Sequence, residues 1–416
     1  MKLIHGDIVY SGIDGGLVVR ENAYIAVENE CTEGIYDSIP ESLKDVPAED
    51  FGRSLIIPAF SDLHVHAPQY AQRGTGMDLL LPDWLNTYTF PEEAKFADTA
   101  YASKVYSAFA AELLKNGTLH ANVFSTLHRQ STVLLAAELE KKHIGGFVGK
   151  VNMDINSPEY LCESTEESLN ETEKYICGFS GTGIKPILAP RFVPACSAEL
   201  MYGLGRLAEK YGCGVHSHIV ESKWEAAEAV RLFPDCSCDS EIYEKTGLLG
   251  HGPAIFAHFI FPSERDVEIA AKYGAVTVHC PDATNNIIAG IMPAERLLRS
   301  GIAVTLGTDV GAGHSLTLYK QISAAVRLSK LKEFYEPELS GTISFITAFA
   351  MATRYGGAVF GKTGAFDKGY DFDALVIEGM EDQFAPLPAE KRLERFCYSG
   401  DDRNITAVFS KGERVL

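Results

Sequence analysis

Eight short runs rich in β-branched and small apolar residues recur along this chain, at 56–66, 118–124, 149–154, 185–189, 213–219, 254–259, 275–280 and 302–308. Between them lie longer stretches with apolar residues at mixed three and four spacing, among them 99–115, 158–177, 198–211 and 223–232. Such alternation marks successive βα units around a parallel sheet, and eight strands is the number that closes a barrel. Gly117, Gly212, Gly274 and Gly301 each stand where a helix hands over to the next strand. Glycine suits that position because it enters the left-handed conformation without a Cβ clash. The expected fold is therefore α/β, a (β/α)8 TIM barrel over 58–364. The two ends read as short strands, and the expectation is a small β-sandwich module made from 1–57 and 365–416. A chain of 416 residues has room for both.

Hydrophobic residues at 46% and charged residues at 22% place the chain among ordinary globular proteins. A formal net charge of −19 opposes a nucleic-acid partner, because phosphate backbones are held by clustered Lys and Arg. The opening Met1-Lys2-Leu3-Ile4-His5-Gly6-Asp7 lacks the apolar core of a secretory signal. No stretch reaches the roughly 18 uninterrupted apolar residues of a membrane span. A cytoplasmic protein without a membrane partner is expected. Nine cysteines, an odd number scattered along the chain, argue for free thiols and against a disulfide framework.

Asp62-Leu63-His64-Val65-His66 closes the first run. Residues two apart in a strand share a face, so both imidazoles can reach one metal ion. The spacing alone is common, and its weight comes from company. His218 lies at the end of the fifth run, His258 at the end of the sixth, and Asp309 just after the eighth. All occupy the carboxyl ends of strands, the rim where parallel barrels place their active sites. Three imidazoles and one carboxylate suit zinc, or ferrous iron, with room for a water. Glu221, three residues beyond His218, is expected to act as general acid/base. The competing reading makes it a cap for the following helix. His216 shares the face of His218 and is expected either behind the metal ligands or in the pocket wall, and not as a further ligand. Lys185 is the sole lysine in the fourth run, but it sits at the strand's start, opposite the rim, so one metal ion is expected.

These motifs, from Pro58-Ala59-Phe60-Ser61-Asp62-Leu63-His64-Val65-His66 to Gly307-Thr308-Asp309, resemble the amidohydrolase superfamily over nearly the whole chain. His66-Ala67-Pro68-Gln69-Tyr70, the stretch from Asp83 to Pro91, Gly149-Lys150-Val151-Asn152-Met153-Asp154 and Pro190-Arg191-Phe192 resemble its purine-deaminating members more closely. The resemblance implies that His64, His66, His218 and Asp309 hold one zinc ion, that Glu221, His258 and Asp309 are catalytic, and that Gln69, Arg191, Phe192 and His218 bind the substrate. It also implies a homodimer, and hydrolytic deamination of guanine to xanthine and ammonia. Another purine, a pterin or a triazine is the alternative substrate, and a non-catalytic scaffold the alternative role. Two places depart from the family pattern. Cys280-Pro281-Asp282-Ala283-Thr284-Asn285-Asn286 replaces the usual Cys-Pro-Asn-Ser-Asn, and His216 replaces a Gln.

Overall fold

The structure is a computed structural model that describes the chain apart from residues 180, 182, 338–340 and 383. Eight parallel strands follow one another in chain order around one sheet: Phe60–His66, Thr118–Phe124, Gly145–Asn152, Ile184–Pro190, Val215–Ile219, Ala254–His258, Val276–His279 and Ala303–Leu306. The first and last come together at the carboxyl rim. There Asp309 N donates to the His64 carbonyl at 2.8 Å, and His66 N donates to the Val310 carbonyl at 2.9 Å. Helices cover the outside, so the strands are buried on both faces. Phe60–His66, for example, has no exposed residue. That double burial is why the strands read as short apolar runs and not as alternating ones.

Helices Thr99–Lys115, Ala198–Tyr211 and Lys223–Leu232 have the expected bounds. Gly212 and Gly274 close their helices at φ 64° and 60°, the left-handed cap expected of them. Three boundaries differ by more than two residues. The first run divides at Ala59: Ile56 to Pro58 end a strand of the terminal module, Ala48–Pro58, and the barrel begins at Phe60. The helix expected from 158 begins at Thr165, because Glu159–Leu161 forms a separate turn and Ser164 supplies the N-cap. The third strand begins four residues early, at Gly145.

That early start depends on Gly146, whose φ is +130°. A Cβ there would stand 2.0 Å from the Ala121 carbonyl oxygen of the neighbouring strand. Gly146→Ala should therefore cost about 3 kcal/mol or more, through combined backbone strain and overpacking. A lowered thermal midpoint is the expected result, and an unchanged one would show that the two strands can move apart freely.

Both termini build one mixed seven-stranded sheet, in the order Glu413–Arg414, Ile405–Ser410, Ala374–Ile377, Ala48–Pro58, Lys2–Ser11, Leu17–Glu28 and Cys31–Tyr36. Its own apolar cluster includes Ile4, Ile25, Phe372 and Phe409. The nine cysteines are all free. Among the described residues, no helix is long and apolar enough to cross a membrane.

Candidate active site

His64 and His66 project from one face of the first strand into the carboxyl mouth of the barrel, where His218 arrives from the fifth strand. His66 Nε2 lies 3.0 Å from His218 Nε2. Asp309 Oδ1 lies 3.2 Å from His64 Nε2 and 3.4 Å from His66 Nε2. Asp62, two residues before the His-x-His motif, sets this meeting. Its buried carboxylate accepts Thr308 N at 3.0 Å and His64 N at 3.2 Å, and the Thr308 hydroxyl binds its other oxygen. Strand one thus carries Asp309 into register beside its own histidines.

These four side chains fit a small divalent cation. Tetrahedral ligands at roughly 2.0–2.1 Å from zinc stand about 3.3–3.4 Å apart, close to the separations observed. The four ligand atoms all lie within 4.8 Å of one another. His64 Nε2 is fully buried yet has no hydrogen-bond partner. Burial drives His64 down to about 3 and His66 and His218 well below the ordinary imidazole range, so each is a neutral lone-pair donor. Burial likewise pushes Asp309 well above the carboxylate range, a cost that a cation beside it removes. A second grouping of His258, Cys280 and Asp309 shares the same aspartate. Burial keeps the Cys280 thiol protonated, and a thiol is a poor ligand.

Two of the three outer ring nitrogens are held as metal-binding histidines require. His218 Nδ1 donates to the Arg191 carbonyl, leaving the Nε2 lone pair directed inward. His64 Nδ1 and His216 Nε2 lie 2.8 Å apart. His216 therefore stands behind His64 and does not line the substrate cavity. Lys185 is at the opposite end of the barrel, beside His120 and Lys411.

Glu221 reaches the cavity through a strained turn. Val220, a β-branched residue, has φ +44°. Ile260 N and Phe261 N clamp its carbonyl at 3.2 and 3.1 Å, and Glu225 Oε2 accepts Glu221 N at 2.9 Å. The helix that follows is capped by Ser222, whose hydroxyl accepts Glu225 N. Glu221 is thus no cap. Its Oε1 lies 3.5 Å from His258 Nε2, which is 4.0 Å from Asp309 Oδ2. Burial, with Asp309 close by, pushes the Glu221 carboxyl up to about 8.

The cavity beside these groups is lined by His66, Gln69, Arg191, Phe192, His218, Glu221, His258 and Asp309, with Leu81, Trp84, Leu85, Ile287 and Ala312 as apolar walls. Every expected site residue lines it except His64, which lies beneath. Arg191 is not a surface ion pair. Its Nη1 and Nη2 donate to the two oxygens of buried Glu93 at 2.6 and 3.1 Å. Gln69 Nε2 donates to the same carboxylate at 2.8 Å. Sequence reasoning missed Glu93, although it follows the Asp83 to Pro91 stretch by two residues. It also missed the apolar walls, since lone leucines carry no chemical signal. The departure at 280–286 turns partly outward: Asp282 accepts from Gln321 Nε2 at 2.8 Å, on a helix outside the barrel.

A model of the amidohydrolase family matches residues 55–415, and the chain belongs to that family. Within it, the chain is similar to guanine deaminases. It is 35% identical to the guanine deaminase of Rattus norvegicus over 377 residues, which cover 86% of this chain and 82% of that one. Against the guanine deaminase of Dictyostelium discoideum it is 30% identical over 443 residues, covering 100% of this chain and 98% of that one. The solved structure of guanine deaminase from C. acetobutylicum with guanine bound in the active site matches at TM-score 0.95 and 41% identity, covering all of both chains.

Proposed function

We propose that this chain deaminates guanine hydrolytically, releasing xanthine and ammonia, with one zinc ion held by His64, His66, His218 and Asp309. The observation that carries the reading is the convergence of those four groups with Glu221 and His258 on one cavity that Gln69 and Arg191 also line. When bound, the ion supplies Lewis acidity and acidifies water toward neutral pH. Asp309 accepts a proton from the water as it attacks C2 of the purine. Glu221 holds a proton at neutral pH, because its carboxyl lies at about 8, and delivers it to ring N3. His258 stabilises the oxygen newly bonded to C2. The proton taken by Asp309 then passes to the exocyclic amine, which leaves as ammonia. The hydroxyl on C2 becomes a carbonyl and returns its proton to Glu221, while Phe192 and the apolar walls exclude bulk water from the base. A cytoplasmic homodimer serving purine breakdown belongs to the same reading, and light scattering on the purified protein tests the dimer.

The deciding experiment is a panel of purines, pterins and triazines assayed for ammonia release, with xanthine identified as the product from guanine. Glu221→Gln should keep the metal yet lose about 100-fold or more in kcat, the scale of removing a general acid/base. Loss of the metal from that variant would make Glu221 a ligand and overturn its assigned role.

A further inference from the structure

Glu93 touches two of the residues assigned to the purine, Arg191 and Gln69, and nothing in the proposed reaction uses it. It sits in the short helix Phe90–Ala94 with its side chain 6% exposed. One of its oxygens accepts Arg191 Nη1, and the other accepts both Arg191 Nη2 and Gln69 Nε2. Phe90, one turn earlier, lies under the same guanidinium at 5.5 Å. Gln69 is held from its other end as well, because its Oε1 accepts Gly311 N at 3.0 Å.

These bonds leave one orientation for the Gln69 amide. A carboxylate only accepts, and a backbone N–H only donates, so turning the amide over would set oxygen against oxygen and N–H against N–H. With Oε1 committed to Gly311, Gln69 has its second amide N–H to offer the cavity. Arg191 has five N–H groups and spends two on Glu93. What both residues have left for a ligand is chiefly donors.

We infer that Glu93 is a specificity-determining positioning residue: it locks Arg191 and Gln69 so that the purine pocket presents hydrogen-bond donors and selects bases that present acceptors. The inference rests on the guanine reading above. Glu93 itself need not touch the substrate. Replacing it by Gln keeps the shape but leaves one acceptor oxygen for three donors and adds two N–H donors, so both partners lose their fixed orientation.

The test compares wild type, Glu93→Gln, Arg191→Met and the double variant, all as metal-loaded protein. The readouts are kcat and KM for guanine and for 2,6-diaminopurine, which keeps the C2 amine and replaces O6 by an amino donor, with metal content and thermal midpoint. Glu93→Gln should lower kcat/KM for guanine by about 100-fold, the usual result of misplacing a substrate-orienting group. The preference for guanine over 2,6-diaminopurine should fall with it, and the metal should stay. In the Arg191→Met background the same substitution should do little further harm, since residues acting through one another are not additive. Wild-type kinetics in Glu93→Gln, or losses that multiply in the double variant, overturn the inference. Should Glu93→Gln not fold, Glu93→Asp keeps the charge and withdraws both oxygens by one methylene. It should show the same loss of kcat/KM, and full activity there overturns the inference too. Wild-type protein that releases no ammonia from guanine overturns the guanine reading and this inference together. Wild-type turnover with an unaffected Glu93 variant overturns the inference alone.

Discussion

Chelation should abolish ammonia release from guanine, and about one equivalent of zinc should restore it. The expectation follows from the charges in the site. Three imidazoles are held neutral by burial, and two carboxyls, Asp309 and Glu221, share the same dry cavity with their affinities for protons raised. Without a cation, ionising Asp309 costs its full desolvation, and no group in the site can acidify water. Uncatalysed water has a pKa near 16, and zinc lowers it to about 7. Nothing among the protein's own groups substitutes for a shift of that size. Activity should therefore vanish and not merely decline, and elemental analysis of the active protein should find about one metal per chain. Lys185, at the far end of the barrel, cannot bridge a second ion. Full turnover in a sample verified as metal-free would overturn the proposed mechanism, and two tightly held ions would overturn the one-metal site.

Much of the architecture was legible because its signals are local. Strand-helix alternation, helix-ending glycines and the positions of His66, His218, His258 and Asp309 at strand ends are all properties of short segments. What stayed hidden depends on contacts across the fold. Asp62 was visible only as part of a motif, yet it ties strand one to Thr308, 246 residues away. Glu93 reads as one of two adjacent acids early in a short helix, and its partner Arg191 is 98 residues distant. Neither carries a local pattern that marks it. The split of the first run at Ala59 was hidden for a related reason. Both halves are apolar, and only their pairing partners differ: Ile57 faces Leu375 in the module, whereas Phe60 pairs with Thr118 in the barrel. The strained positions Val220, His258 and Asp309, with φ of 44°, 76° and 48°, run against residue preference. Such disagreements gather where a site forces the backbone.

Adenine should be a poor substrate by about 10,000-fold relative to guanine, the scale on which a hydrogen-bonding site rejects a base with the wrong pattern. Guanine carries acceptors at O6 and N7, whereas adenine replaces O6 with an amino donor and carries only hydrogen at C2, so in guanine's pose it also has no amine to expel. Arg191 cannot lose its protons, and Glu93 holds it in place, so an amino group brought to the same spot meets donors. Two buried donors then face each other unpaired, and each loses the water that served it outside. The pocket cannot relieve this by turning Gln69, whose amide is fixed from both ends. Arg191→Met should accordingly raise the barrier for guanine by roughly 2–3 kcal/mol, about the value of a hydrogen bond to a charged group. 2,6-Diaminopurine, which keeps the C2 amine but has an amino donor in place of O6, should lose little, because it never gained that bond, so its gap from guanine narrows. Metal content should survive, since the Arg191 side chain is not among the proposed ligands. Kinetics on both bases with wild type and Arg191→Met check this. An unchanged gap would mean that selectivity is set elsewhere around the base. Wild-type turnover of an oxidised purine or a pterin in place of guanine would leave the aminohydrolase chemistry standing and place the selectivity along 282–286, next to the cavity wall at Ile287.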